Sequence, residues 1–325
     1  MSFCAAWQAD GCRRAFRISL FSGRLRNTAP GTEKRFPAGR SSDKLTAMED
    51  LGISAIHPPA PEFFSAVALF KAPIDIDAAV ARLNTLWSLN VEGKWQTVEP
   101  DPAHPQLIAG RLLHFSSQGV QAMMTPLNYP LQPDRGTLPA HTFHIPITLY
   151  APGKAAAEGT LAGEQQVSEI SGGEIRRRKR MVSAHILLTQ LSDALMREEA
   201  AVGIFRYELG VVQPPQMVAE MSESLTAGQV PLPLWVNIRT QNAGLTYGRT
   251  LGLPLFGHLD LEVRDSAQSA DEVYLLLADI ANYLITGSSY LIPGQTLGTS
   301  KGEKITLTQE LSPFDNSPVI RVMCR

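Results

Sequence analysis

Apolar and polar positions along this chain follow two different periods, and the switches between them mark out the elements. Phe64–Lys71 (FSAVALFK) alternates with the period of two that a half-buried strand requires. The stretch after it changes to helical spacing, with Ala78, Ala79, Leu83, Leu86 and Trp87 on one face and Asp75 or Asp77 placed to cap it. A short edge strand is predicted around Trp95–Val98, and Gly110–Ser116 and Gly119–Thr125 flank Ser117-Gln118 as a hairpin. His141–Tyr150 (HTFHIPITLY) is strand-like, and Pro146 predicts an edge strand or a bulge there.

A long helix follows from about Glu174 to Glu199, its stripe written by Ile175, Val182, Ile186, Leu187, Leu191 and Leu195. Ala201–Tyr207 is a strand, and a proline-initiated helix covers Pro215–Ala227. Strands are then expected at Leu234–Thr240, Tyr247–Leu251 and His258–Arg264, followed by a helix over Asp271–Thr286 with Val273, Leu276, Leu277, Ile280, Leu284 and Ile285 as its apolar set. Lys304–Thr308 and Val319–Met323 close the chain as strands. Hairpins mixed with helices predict an α+β fold, with mixed or mostly antiparallel sheets and helices packed on one face. The order β-α-β-β occurs at about 64–125 and again at 246–323, which predicts two ferredoxin-like halves.

Composition adds organisation rather than chemistry. Residues 1–47 carry nine Lys/Arg against three acids, a net of +6, and the remainder carries twenty against twenty-eight, a net of −8. That first segment shows no sustained periodicity. It reads as sequence upstream of a natural start at Met48, as a disordered basic arm, or as an Arg-rich transit peptide, and in each case lies outside the fold. The expected divisions are 1–47 as extension, 48–228 as an N-terminal α+β region with a mobile Ala/Gly/Glu-rich insertion at 151–173, and 229–325 as a C-terminal α+β domain. The net charge of −2 argues against bulk capture of nucleic acid or anionic membrane. No apolar run reaches the length of about 18 residues that a spanning helix needs. Cys4, Cys12 and Cys324 are odd in number and terminal, which suits a reducing, cytoplasmic compartment.

Two sets of residues have the makings of a site. His258, Asp260 and Glu262 alternate with Leu259, Leu261 and Val263, so a strand would present an imidazole and two carboxylates on one face. They would act as an acid/base set or metal ligands only if a further group, Arg249 or Lys301, converged with them. Otherwise they form the solvated outer face of a half-buried strand, because same-face neighbours stand about 6.5–7 Å apart. Arg176, Arg177, Arg178, Lys179 and Arg180 form a basic run on the first turns of the long helix. Five consecutive residues wrap the whole circumference, so the run reads as a solvated end or as a grip on an acidic protein surface. His141 and His144, three apart, fall on opposite faces of a strand, and His185 reads as a core or interface histidine. The segment Gly294–Lys304 (GQTLGTSKGEK) departs from a phosphate loop, since Lys does not follow the second glycine and a strand, not a helix, comes next. No G-x-S-x-G elbow is present.

The segments LPLWVNIRT, TLGLPLFGHLDLEV, DEVYLLLADIANYLI and PGQTLGTSKGEKITL together resemble the bacterial family known as domain-of-unknown-function 4261. The likeness rests on Pro233–Val236, Thr250–Gly257, Asp260–Val263, Ala281–Ile285 and Pro293–Gly298, and is closest over about 230–310. Two departures are the missing tryptophan between Pro126 and His141 and the length of the 151–173 insertion. The resemblance implies a fold and a bacterial origin and brings no catalytic residue, metal or cofactor with it. The expected function is a non-catalytic, cytoplasmic protein-binding module, immunity- or adaptor-like, with another protein as partner and no nucleic acid or membrane. The alternative is an enzyme with its site around His258, Asp260 and Glu262.

Overall fold

The computed structural model describes residues 57–99, 110–133, 136–152, 168–287, 289–298 and 304–323. The basic extension 1–47, the three cysteines, Lys301 and most of the 151–173 insertion lie outside these residues. Thirteen strands and five helices are described, and the strands form two sheets.

The first sheet holds β1 (Phe63–Phe70), β2 (Lys94–Val98), β3 (Gly110–Ser117), β4 (Val120–Met124), β5 (Phe143–Tyr150), β6 (Ala201–Arg206) and β7 (Val211–Gln213) in the order β2-β3-β4-β5-β1-β6-β7. Every pairing in it is antiparallel. Alternation sorts its residues as the sequence predicts: Phe64, Ala66, Ala68 and Phe70 of β1 and Ile145, Ile147 and Leu149 of β5 are buried on one face. The β3–β4 turn sits one residue later than expected, because Gln118 and Gly119 both take the left-handed φ that tight hairpins require.

Helices α1 (Ile76–Trp87), α2 (Ser168–Met196) and α3 (Pro215–Thr226) cover that face. Asp75 caps α1, its carboxylate accepting from the Ala78 amide at 3.0 Å. Helix α2 begins six residues before the expected start, so the end of the predicted mobile insertion is helical. It is also more deeply enclosed than a single stripe implies. Met181, Ala184, Leu187, Leu188, Leu191 and Leu195 are buried together with Thr189, Ser192 and Asp193, while Ile175, Val182 and Ile186 stay half-buried on a remaining side.

Pro146 corrects the edge-strand expectation. β5 lies inside the sheet between β4 and β1. The Pro146 carbonyl accepts from the Thr125 amide at 3.2 Å, and in an antiparallel strand the N and O of one residue point the same way. The missing donor therefore falls where β4 ends at Met124, and pairing resumes at the Leu127–His144 bridge. The sheet accommodates the proline by interrupting its neighbour.

The one-turn helix α4 (Leu232–Trp235) leads into the second sheet, replacing the predicted start of a strand at Leu234. That sheet comprises β8 (Asn237–Asn242), β9 (Thr246–Leu251), β10 (Asp260–Ser266), β11 (Thr296–Gly298), β12 (Lys304–Leu311) and β13 (Pro318–Met323), ordered β11-β12-β13-β10-β9-β8. Only β10 and β13 pair in parallel. Helix α5 (Ala270–Thr286) opens with a capping box between Ser269 and Glu272. It packs on β8, β9 and β10 through the predicted apolar set, with Ala281 in place of the half-buried Leu276. Both layers are thus mostly antiparallel α+β. Ferredoxin-like halves are not evident, since the sheets run to seven and six strands where such a unit has four.

The layers share one core. Trp235 is 1% exposed and donates from its indole to Thr189 Oγ1 of α2 at 2.9 Å. Asn237 and Arg239 of β8 donate to the Leu209 carbonyl in the β6–β7 turn, at 2.9 and 3.2 Å.

Candidate functional site

The two sets of residues singled out in the sequence meet at one point, where α2 crosses the connection between β9 and β10. A 3-10 turn, Leu253–Phe256, makes this connection between two glycines with left-handed φ, Gly252 at 117° and Gly257 at 75°. Gly257 also allows a close approach, because a Cβ there would stand 3.0 Å from Glu174 Oε1 and 3.3 Å from the Ala60 amide. Glu174 itself accepts from that Ala60 amide at 3.1 Å. The start of α2 is thereby held against the turn.

Of the basic run, Arg176 and Lys179 are exposed and Arg177 and Arg180 half-buried, but Arg178 is only 6% exposed. Successive helical residues point about 100° apart, so a run of five always directs one inward. Arg178 Nε donates to the Phe256 carbonyl at 3.1 Å, and Nη2 donates to the Leu284 carbonyl at 2.8 Å and to His258 Nε2. It lies over the Tyr290 ring at 4.7 Å, a cation–π contact. Helix α5 has no basic residue in its last turn, and Arg178 supplies a cation to its carbonyl end from elsewhere in the chain.

His258 precedes β10 rather than belonging to it. Because a guanidinium only donates, its Nε2 accepts from Arg178 and the ring proton resides on Nδ1. His57, unremarked in the sequence, completes the cluster. Its Nδ1 accepts from the Leu259 amide at 3.1 Å and its Nε2 donates to the Leu291 carbonyl at 2.8 Å. The two imidazoles stand 5.7 Å apart, and the Tyr290 ring lies 5.4 Å from one and 5.3 Å from the other. Burial first, then the charge of Arg178, pushes the His258 pKa well below the usual histidine value. Burial lowers His57 too, opposed by its bond to Leu291.

Asp260 and Glu262 go elsewhere. The expected solvated face is a buried one: His258 and Glu262 are 0% exposed and Asp260 9%. β10 is an interior strand, and the β12–β13 turn folds over its polar side. Asp260 Oδ1 accepts from Thr250 Oγ1 at 3.0 Å and from the Leu253 amide at 3.2 Å, tying the 3-10 turn to the strand. Burial raises its pKa to about 7, against the pull of those bonds and of Arg249. Glu262 accepts from Tyr247 Oη at 3.1 Å and from Arg264 Nε. Arg264 continues to Glu310 at 2.9 Å, and Arg249, paired in register with Glu262, reaches Ser312, Ser317 and Asp315. The tyrosine hydroxyl is pushed up to about 12 by burial and by Glu262. His258, Asp260 and Glu262 therefore enter three separate hydrogen-bond sets. Arg249, beside Glu262 in register, turns to Ser312, Ser317 and Asp315 instead of drawing the three together.

The other histidines serve the fold. His185 is 0% exposed, stacks on Phe64 at 4.1 Å and receives Arg206 Nη2 at 3.5 Å. Burial and Arg206 hold it neutral, and burial brings Arg206 down to about 10. His141 and His144 come within 6.3 Å, against the opposite-face expectation, because His141 lies before β5 begins. Both nitrogens of His141 are engaged, with the Leu131 amide and the Pro139 carbonyl. Among the described residues, no group of three or more His, Cys, Asp or Glu side chains could hold a metal ion. No described helix is long and apolar enough to cross a membrane.

Beside Arg178 a cleft of about 270 Å³ opens at the end of α5, walled by Ile175, Val182, Val230, Phe256 and Ile285, with Lys179 at its rim. A second groove of about 420 Å³ shares Val182 and Val230 and continues along α2 to Ile186, Gln190 and Trp87.

No curated protein and no solved structure matches the chain significantly. Residues 249–323, which run from within β9 to the end of β13, match the family described as Domain of unknown function (DUF4261).

Proposed function

We propose that this is a cytoplasmic bacterial protein-binding module rather than a catalyst, of the immunity or adaptor kind, and that its partner is another protein. The observation that carries this reading is the outer face of the first sheet. On the side away from the helices, Val212, Phe205, Val67 and Pro146 are register partners across four strands, and Phe63 pairs with Tyr150. Phe63 is 63% and Tyr207 68% exposed, and the others are half-exposed. Tyr207 meets Phe205 edge-on at 6.3 Å. Aromatic side chains on a rigid sheet are the usual anchors of protein–protein contacts, and exposed apolar patches of this kind mark such surfaces.

Against the enzyme alternative stands the employment of its residues. His258, Asp260 and Glu262 each hold a different piece of backbone or side chain, so substrate would have to displace bonds that the fold uses.

A photo-crosslinking phenylalanine analogue placed at Tyr207 in cells tests the reading. One discrete protein adduct is expected, lost when Phe63→Glu is added and absent when the probe stands at Gln241 of the second sheet. Adducts of equal yield from both positions would end it.

A further inference from the structure

We propose that the cleft beside Arg178 binds a straight-chain carboxylate, its head group on Arg178 and its tail lying along α2. This site is distinct from the aromatic face of the first sheet, and each stands or falls without the other.

Arg178 carries a buried charge that nothing balances among the described residues. Arg178 is 6% exposed, and its partners are two carbonyls, a neutral imidazole and an aromatic ring. Among the described residues no carboxylate pairs with it, and its Nη1 makes no hydrogen bond. A cation so far removed from water is costly unless an anion compensates it. Lys179, exposed at the rim of the same cleft, adds a second positive charge. Glu174, four residues earlier on α2, is turned toward Arg177 and the Ala60 amide.

Beyond the cation the walls turn apolar, and this selects the kind of anion. The cleft wall is mainly Ile175, Val182, Val230, Phe256 and Ile285, with Thr286 its one neutral polar side chain, so a sugar or nucleotide would find few hydrogen-bond partners there. The groove adds Ser88, Gln190, Thr226 and Gln229 among its apolar residues. The cleft and the groove share Val182 and Val230 and lie along one ridge of α2, which passes from Arg178 and Val182 in the first to Ile186 and Gln190 in the second, an alignment that fits one trough. Arg178 to Gln190 is twelve residues of α2, about 18 Å at the helical rise. Volumes of about 270 and 420 Å³ are those of a small-molecule pocket, whereas a helical peptide about 10–12 Å across needs more room. One anionic end and one narrow apolar run describe a fatty carboxylate.

Calorimetric titration of the full chain with octanoate, decanoate and dodecanoate, below their aggregation limits, tests this. Burial of each further CH₂ predicts roughly fourfold tighter binding. Dodecyltrimethylammonium, with the same tail and the opposite charge, should bind at least about tenfold more weakly, the scale of a charge-assisted hydrogen bond. Val182→Trp fills the waist of the trough from a half-exposed position, and should abolish the dependence on chain length while circular dichroism stays unchanged. Arg178→Gln should remove the preference for the carboxylate, and Lys179→Gln weakens it should the first variant not fold. The proposal is overturned if the two head groups bind alike, if Val182→Trp binds dodecanoate as the parent does, or if dodecanoate does not bind. Binding of a synthetic acidic amphipathic peptide in place of dodecanoate would assign the trough to a protein partner and overturn it equally.

Discussion

The outer faces of the two sheets make an instructive pair. On the second sheet, Arg249, Glu262, Arg264 and Arg321 sit on neighbouring strands and answer one another through Glu310, Asp315 and the β12–β13 turn. On the first sheet Phe63, Val67, Phe205, Tyr207 and Val212 stand on the outer face, interrupted by the hydrogen-bonded pair Ser65 and Thr148. A polar face can satisfy itself within one chain, because hydrogen bonds and ion pairs are directional and saturate. An apolar face saturates only by losing contact with water, and here that surface keeps such contact, with Phe63 and Tyr207 exposed.

Mutation should separate the two faces. Glu262→Ala leaves Arg264 and the Tyr247 hydroxyl without their shared acceptor in a buried place, and should cost about 3–5 kcal/mol, read as a lower urea midpoint. Loss below about 1 kcal/mol would mean that water replaces the carboxylate freely.

Asp260→Asn keeps an oxygen for Thr250 and the Leu253 amide while removing a carboxyl whose pKa stands at about 7. Its folded value is raised, so the unfolded chain ionises first and stability falls as pH rises from 3.8 toward about 7. The asparagine variant should therefore be more stable at pH 8, by about 1–3 kcal/mol. The buried histidines act in the other direction. His57, His185 and His258 have lowered values, so their contribution is complete above the ordinary 6.5 and lost as pH falls below it. Without Asp260 to oppose them, the variant should lose stability on acidification more steeply than the parent. Parallel thermal melts from pH 8 to pH 5 decide the point.

Tyr247→Phe removes one hydrogen bond to a carboxylate, and a destabilisation of about 1–2 kcal/mol is expected in denaturant titration. Phe63→Ser and Tyr207→Ser should move stability by no more than about 0.5 kcal/mol, since both side chains already stand in water. If either costs as much as Glu262→Ala, the aromatic face belongs to the fold and the contrast between the sheets collapses.

Legibility followed the range of the interaction. Period-two and period-3.6 patterns located β1, β5, α1 and α5 within a residue or two, because those patterns report which side of an element meets the core. They failed at Leu232–Trp235 and at Leu253–Phe256, one-turn elements too short to show a period. Pro146 misled because its rule concerns a missing donor, and the neighbouring strand supplied the gap. His57 carried no signal at all, since its partners Leu259 and Leu291 lie 202 and 234 residues away.

By itself, then, the sequence determined the α+β class, the strand faces of β1 and β5 and the likeness of the C-terminal region to its family. Those properties are written in local spacing and in short runs around the turns. The helix faces were read only in part, Ala78 and Leu86 of α1 being exposed and Ile175, Val182 and Ile186 of α2 half-buried. Only the tertiary structure decided that Arg178 and His258 meet, and that Asp260 and Glu262 part from them under a folded turn. The partners of Arg178 lie 78, 80 and 106 residues along the chain, and no local pattern encodes which member of a basic run will face inward. Burial of a charge is a property of the assembled layers, and there the trough along α2 took its character.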